Sequence, residues 1–139
     1  MRKMFVLASI LAVFAVGVWA QADRPDPRAA EYRTWMQSIQ PGVRSLTANI
    51  NGKMGDVAAS DADKLEDTFR QVEDFWGQRN IQDAVAFAQT ARKALTAASK
   101  DAKAGNTDAA LADLKTLQAT CGGCHTAHRE GTAGSFTIK

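Results

Sequence analysis

Apolar residues recur along most of this chain at steps of four and three, and no other feature constrains its fold as strongly. Tyr32, Met36, Ile39, Val43, Leu46 and Ile50 carry the pattern first. An α-helix turns once in about 3.6 residues, so such positions form one stripe that another element must cover. Leu65, Phe69, Val72, Phe75 and Trp76 continue it, followed by Ile81, Val85, Ala88, Ala91, Leu95 and Ala98. Leu111, Leu114, Leu117, Cys121, Cys124 and His128 form a fourth stripe. No run of note alternates with the period of two that a half-buried strand requires. The chain reads as all-α, an antiparallel four-helix bundle joined by short loops.

Local signals set the expected boundaries. The first helix is predicted from about Arg28 to Ile50, with a bend at Pro41-Gly42, where an interior proline removes a hydrogen bond. Asn51-Gly52 and Gly55 should end it. Ser60 is the expected N-cap of the second helix, with Asp61 and Asp63 in the first turn and Gly77 at the close. Asn80 is the expected cap of the third and Gly105 its end; Asn106 or Thr107 caps the fourth. The third stripe is unusually rich in alanine, which lets another body approach closely. The tail from Gly131 to Lys139 reads as irregular.

The chain opens Met1-Arg2-Lys3 and then runs apolar from Met4 to Ala20, the order of a secretory signal. Ala20-Gln21-Ala22 offers cleavage after Ala20 or Ala22, which makes residues 1–22 a signal peptide and 23–139 a single domain. A retained membrane anchor is the alternative, but a spanning helix wants about 20 apolar residues and this stretch is slightly short. Residues 23–27 form a polar lead-in with two prolines. Export to a periplasm follows, with no membrane association after cleavage. The 17 basic and 15 acidic residues give the precursor a net charge of +2. Cleavage removes Arg2 and Lys3 and leaves a formally neutral chain. Such a balance excludes a strongly basic nucleic-acid binder.

The segment that carries chemistry is Cys121-Gly122-Gly123-Cys124-His125, the C-x-x-C-H signature of covalent c-type haem attachment. Each thiol adds to one haem vinyl group, and two intervening residues let both sulfurs face one porphyrin edge. The adjacent histidine then turns its ring beneath the iron as proximal ligand. One covalent haem c would consume both cysteines. Three other readings compete. A thioredoxin-like dithiol needs a βαβ context, and none is visible. A structural disulfide is allowed in an oxidising compartment. A zinc site from Cys121, Cys124, His125 and His128 would crowd four ligands into eight residues, where zinc sites usually separate two pairs by a spacer. No nucleophile–base set, phosphate loop or pair of carboxylates in a readable context points to an enzyme.

With this motif on the last of four helices, the chain resembles the class II cytochromes c: cytochrome c′ and its low-spin, methionine-ligated relatives. The resemblance covers roughly residues 28 to 129. It extends to Tyr32-Arg33, to the run Cys-x-x-Cys-His-x-x-His-Arg at 121–129, and to the closing Gly-Ser-Phe-x-Ile-Lys at 134–139. It implies a haem bound by Cys121 and Cys124, with His125 as axial iron ligand. In that family the first helix supplies the side chain opposite the histidine. Met36 would make a six-coordinate electron carrier; an apolar residue there would leave a five-coordinate haem that binds nitric oxide or carbon monoxide. The family's iron-facing residue often lies four after the arginine, which here is Gln37. Helical phase favours Met36, since Gln37 points about 100° away from the apolar stripe. Met54 is the weaker candidate. Arg129 matches the basic residue four after the haem histidine, which the resemblance places by the proximal pocket or a propionate. His128 cannot be a second axial ligand because it shares a side of the haem with His125; it should pack by the ring edge or cap a polar group. Trp35, Phe69, Trp76 and Phe87 are candidates to wall the haem or simply to fill the core. The expected function is that of a periplasmic monohaem one-electron carrier meeting redox proteins transiently. Five-coordinate gas binding is the first alternative, and a non-haem zinc or disulfide module the second. The resemblance also implies a homodimer paired through the first two helices.

Overall fold

The computed structural model describes residue 26, residues 28–132 and residues 135–139. The expected signal peptide with its cleavage positions, and Gly134 of the tail motif, lie outside the described residues. Four helices follow one another: α1 Ala29–Asn51, α2 Gly55–Gly77, α3 Gln82–Lys103 and α4 Thr107–His128. Two short strands, β1 Arg129–Glu130 and β2 Thr137–Ile138, pair antiparallel after them. The helices pack as a bundle in which each lies against its neighbours in sequence, most extensively α2 on α3.

The core is built from the predicted stripes. Leu46, Phe75, Leu95 and Leu117 are its largest fully buried side chains, one from each helix. Around them α3 buries Ala84, Ala88, Ala91, Ala94, Ala98 and Ala102, and α2 buries Ala58, Ala59 and Ala62. Small side chains allow two helix axes to approach toward the near end of the usual 8–10 Å range. The α1–α4 side is the opposite case, with only thin packing between the two helices.

All three turns between helices use one device. Lys53, Asn80 and Gly105 adopt left-handed backbone, with φ of 55°, 57° and 76°. At each turn that residue's N–H bonds back to the carbonyl three earlier, and the next N–H to the carbonyl five earlier. The pairs are Lys53 to Ile50 and Met54 to Asn49, Asn80 to Gly77 and Ile81 to Trp76, and Gly105 to Ala102 and Asn106 to Asp101. This double closure satisfies carbonyls that a helix end leaves without partners.

Three boundaries differ from expectation. The second helix starts at Gly55, not Ser60, which lies exposed inside it. A Cβ at Gly55 would sit 2.6 Å from the Ala102 carbonyl oxygen, so the glycine admits a close approach to α3 instead of ending α1. Asn80 is the left-handed turn residue; Ile81 occupies the N-cap, without a side-chain cap bond. The tail is not irregular throughout: Gly131, at φ 92°, reverses the chain, and Arg129 pairs with Ile138. α1 is helical through Pro41, and Asn106 holds the N-cap position of α4 without a side-chain cap bond.

On the outer face of α2 and α3, Arg92 bridges Glu66 at 2.7 Å and Glu73 at 2.5 Å. Burial is the largest single influence on both carboxyls and raises their pKa. The hydrogen bonds and charge of Arg92, joined by Arg70 at Glu66 and by a Gln89 hydrogen bond at Glu73, together outweigh it and hold both below the ordinary 4.5. A depressed folded-state value means stability that is complete above about pH 4.5 and lost as the pH falls through the folded values. Arg92→Met should therefore flatten the fall in urea midpoint between neutral pH and about pH 3. Parallel slopes for the variant and the parent protein would refute that role.

Candidate functional site

The C-x-x-C-H segment lies within the last turns of α4. There it meets the start of α1, the end of α2 and the start of α3. Gly123 is the contact point with α3: a Cβ on it would lie 2.8 Å from the Phe87 ring, whereas Gly122 faces open space. Cys121, Cys124, His125 and His128 share one face of the helix, at spacings of three, four and seven.

Both cysteines are free and half-buried. Burial raises the Cys121 thiol above its ordinary value. Burial, then the charges of Cys121 and Asp83, push Cys124 up to about 11. Reactive dithiols belong at helix N-termini, where the dipole stabilises thiolate. These sit at the opposite end, where the carbonyl pole disfavours it. His125 is half-buried and shifted the other way: burial, and secondarily the charge of Arg129, hold its pKa below 6.5. Its imidazole is therefore neutral at pH 7, as a metal-binding nitrogen must be.

Arg129 caps α4, its guanidinium 4.0 Å from the centre of the Phe136 ring. His128 packs 5.1 Å from the Trp76 ring, and its Nε2 lies 2.9 Å from Asp83 Oδ2. The Lys139 backbone N–H donates to the His128 carbonyl at 3.0 Å, and Lys139 Nζ donates to Thr126 O at 2.9 Å. Among the described residues no three His, Cys, Asp or Glu side chains form a group that could hold a metal ion. The zinc tetrad is thus not assembled, since seven helical residues separate its ends by about 10 Å.

An aromatic cluster flanks the motif. Tyr32 stacks on Phe75 at 4.3 Å between centroids, with Trp76 and Trp35 edge-on at 5.7 and 6.5 Å. Burial, and less strongly the charge of Cys124, push the Tyr32 phenol up to about 12, against a lowering pull from Trp76. Trp76 is 2% exposed, and its Nε1–H has no hydrogen-bond partner among the described residues. Phe69, also a candidate haem wall, is a core residue at 5% exposure.

On α1, Met36 is half-buried against the core and Gln37 is exposed, as helical phase requires. Met54 is 47% exposed beside Gly55, which abuts the C-terminal end of α3, whereas the motif meets the N-terminal end. Met54 therefore stands at the wrong end of the bundle. Sequence reasoning missed Asp83 at this end and named Phe136 and Lys139 only as part of the tail motif; the partners of all three are set by tertiary packing.

A hollow of about 550 Å³ on the α2–α3 face, lined in part by Glu66, Glu73, Arg92 and Lys100, holds the ion-pair network and is separate from the motif. Among the described residues no helix is long and apolar enough to cross a membrane. No protein-family model, curated protein or solved structure matches the chain.

The two adjacent glycines should respond differently to a methyl group. Gly123→Ala must push the half-exposed Phe87 ring aside, at a cost of about 1–3 kcal/mol that outweighs or offsets its helix-propensity gain, so its urea midpoint should fall below that of Gly122→Ala. Gly122→Ala meets nothing within 4 Å and should gain about 0.5–1 kcal/mol from helix propensity. Urea midpoints of the two variants check the order.

Proposed function

We propose that this chain is an exported monohaem c-type electron carrier of the class II type, without substrate turnover. One observation carries the reading: two free thiols and a neutral imidazole share a half-buried face of α4, beside the thinly packed α1–α4 side. Tyr32, Trp35, Met36 and Val43 of α1 and Leu111 and Cys121 of α4 are only partly buried. These residues fit a flat apolar group.

In this reading Cys121 and Cys124 hold the haem as thioethers, and His125 supplies the proximal nitrogen. Met36 offers a thioether on the second side, a soft ligand that suits reversible exchange by raising the reduction potential. Arg129 places a fixed positive charge near His125. The surrounding aromatic side chains exclude water. When bound, haem iron takes up and returns one electron. Redox partners meet the site through a small, transient surface, and the signal-like opening of the chain supports export to a periplasm.

A second reading keeps the iron five-coordinate and open to nitric oxide or carbon monoxide; the packing of Met36 against the core favours it. Absorption spectra of protein made in cells with haem-attachment machinery separate the readings. Low-spin ferric bands with a far-red methionine band, lost in Met36→Ala, are expected. A high-spin spectrum that shifts when carbon monoxide meets the reduced protein would select the second reading. A colourless protein would overturn both.

A further inference from the structure

The last turn of an α-helix leaves four carbonyls without partners inside the helix. In α4 they belong to His125, Thr126, Ala127 and His128, so the first of them is that of the candidate axial histidine itself. Three of the four are met. The Arg129 N–H donates to His125 O, Lys139 Nζ donates to Thr126 O at 2.9 Å, and the Lys139 backbone N–H donates to His128 O at 3.0 Å. One residue, thirteen positions beyond Thr126, thus closes two of them.

The tail is built to deliver that residue. Gly131 reverses the chain at φ 92°, and a Cβ on it would stand 2.6 Å from the Ser135 carbonyl oxygen, so the turn requires glycine. β1 and β2 then pair, with Arg129 opposite Ile138. Ile138 packs partly buried against the core, and Arg129 lies over the Phe136 ring. These contacts fix the Lys139 backbone, which leaves its side chain only a short reach to Thr126 O. A charged donor makes a stronger hydrogen bond than a neutral one, and the negative pole of α4 favours a cation there.

We infer that Lys139 is a positioning residue for the His125 imidazole, clasping the turn of α4 that aims the ring. This rests on the haem reading above. The direction of a side chain follows its own backbone dihedrals, and His125 keeps helical ones only while the turn after it stays closed. The ammonium also sits on the carbonyl of the residue that follows His125. A positive charge there disfavours the ferric state of an iron held by that histidine and so raises its reduction potential. Lys139 therefore acts on the iron through His125, by aim and by charge, without touching it.

Two variants of the holoprotein test this. Lys139→Met keeps an unbranched stem and removes the ammonium; Lys139→Arg keeps the charge. In Lys139→Met the backbone amides of residues 126–129 should exchange hydrogen about tenfold faster, while amides along the α2–α3 contact stay unchanged. Its reduction potential, read in a spectroelectrochemical titration, should fall. Lys139→Arg should stay close to the parent protein in both measurements, and an arginine variant as far displaced as the methionine one overturns the role of the charge. Unchanged exchange in Lys139→Met overturns the clasp. Faster exchange with an unchanged potential makes Lys139 a helix-end contact only and overturns its action on His125. A parent protein without haem absorption would sink the haem reading, whereas the exchange comparison would still decide whether Lys139 closes the turn.

Discussion

The close seam between α2 and α3 is the contact on which the remaining geometry depends. Both helices bury runs of alanine, and Gly55 of α2 meets the Ala102 carbonyl of α3 at one end of the seam. On its outer face Arg92 ties α3 to two carboxylates of α2. With the central pair drawn together, α1 packs on α2 and α4 on α3, and both lean less on each other. The openness of the α1–α4 side is thus the counterpart of tight packing on the other side. The candidate residues lie on these two helices, Met36 on α1 and the cysteines and His125 on α4.

The stripes were legible because helical burial repeats with the helical turn. Leu46, Ile50, Leu65, Phe69, Val72, Leu95, Leu114 and Leu117 are all buried as the pattern requires. Punctuation was less legible. Asparagine suits both an N-cap and a left-handed turn, so Asn80 could be assigned either way from sequence. Gly55 looked like a terminator because its reason for being glycine lies at Ala102, 47 positions along the chain. The β1–β2 pair has strands of two residues, too short for any alternation to show.

The site divides in the same manner. The order of Cys121, Cys124 and His125 is a local signal, and a continuous helix is enough to put them on one face. The choice of Met36 over Gln37 is likewise local, since one residue of phase separates a half-buried side chain from an exposed one. What holds the motif in place is not local. Phe87 against Gly123 and Asp83 against His128 join α3 to α4 across 36 and 45 positions. The Tyr32 ring meets Phe75 and Trp76 only because the start of α1 packs on the end of α2.

The end of the helix on which the motif sits bears on its chemistry. A dithiol meant to exchange electrons gains from the positive pole of a helix and from solvent, because thiolate is the reacting form. Here both thiols are half-buried near the negative pole and are held protonated. The same surroundings keep His125 neutral. Desolvation thus acts on all three residues in one direction, toward uncharged side chains. An apolar, flat group can be received beside uncharged thiols and imidazole without burying a charge. Burying a thiolate and an imidazolium there would carry a large desolvation cost.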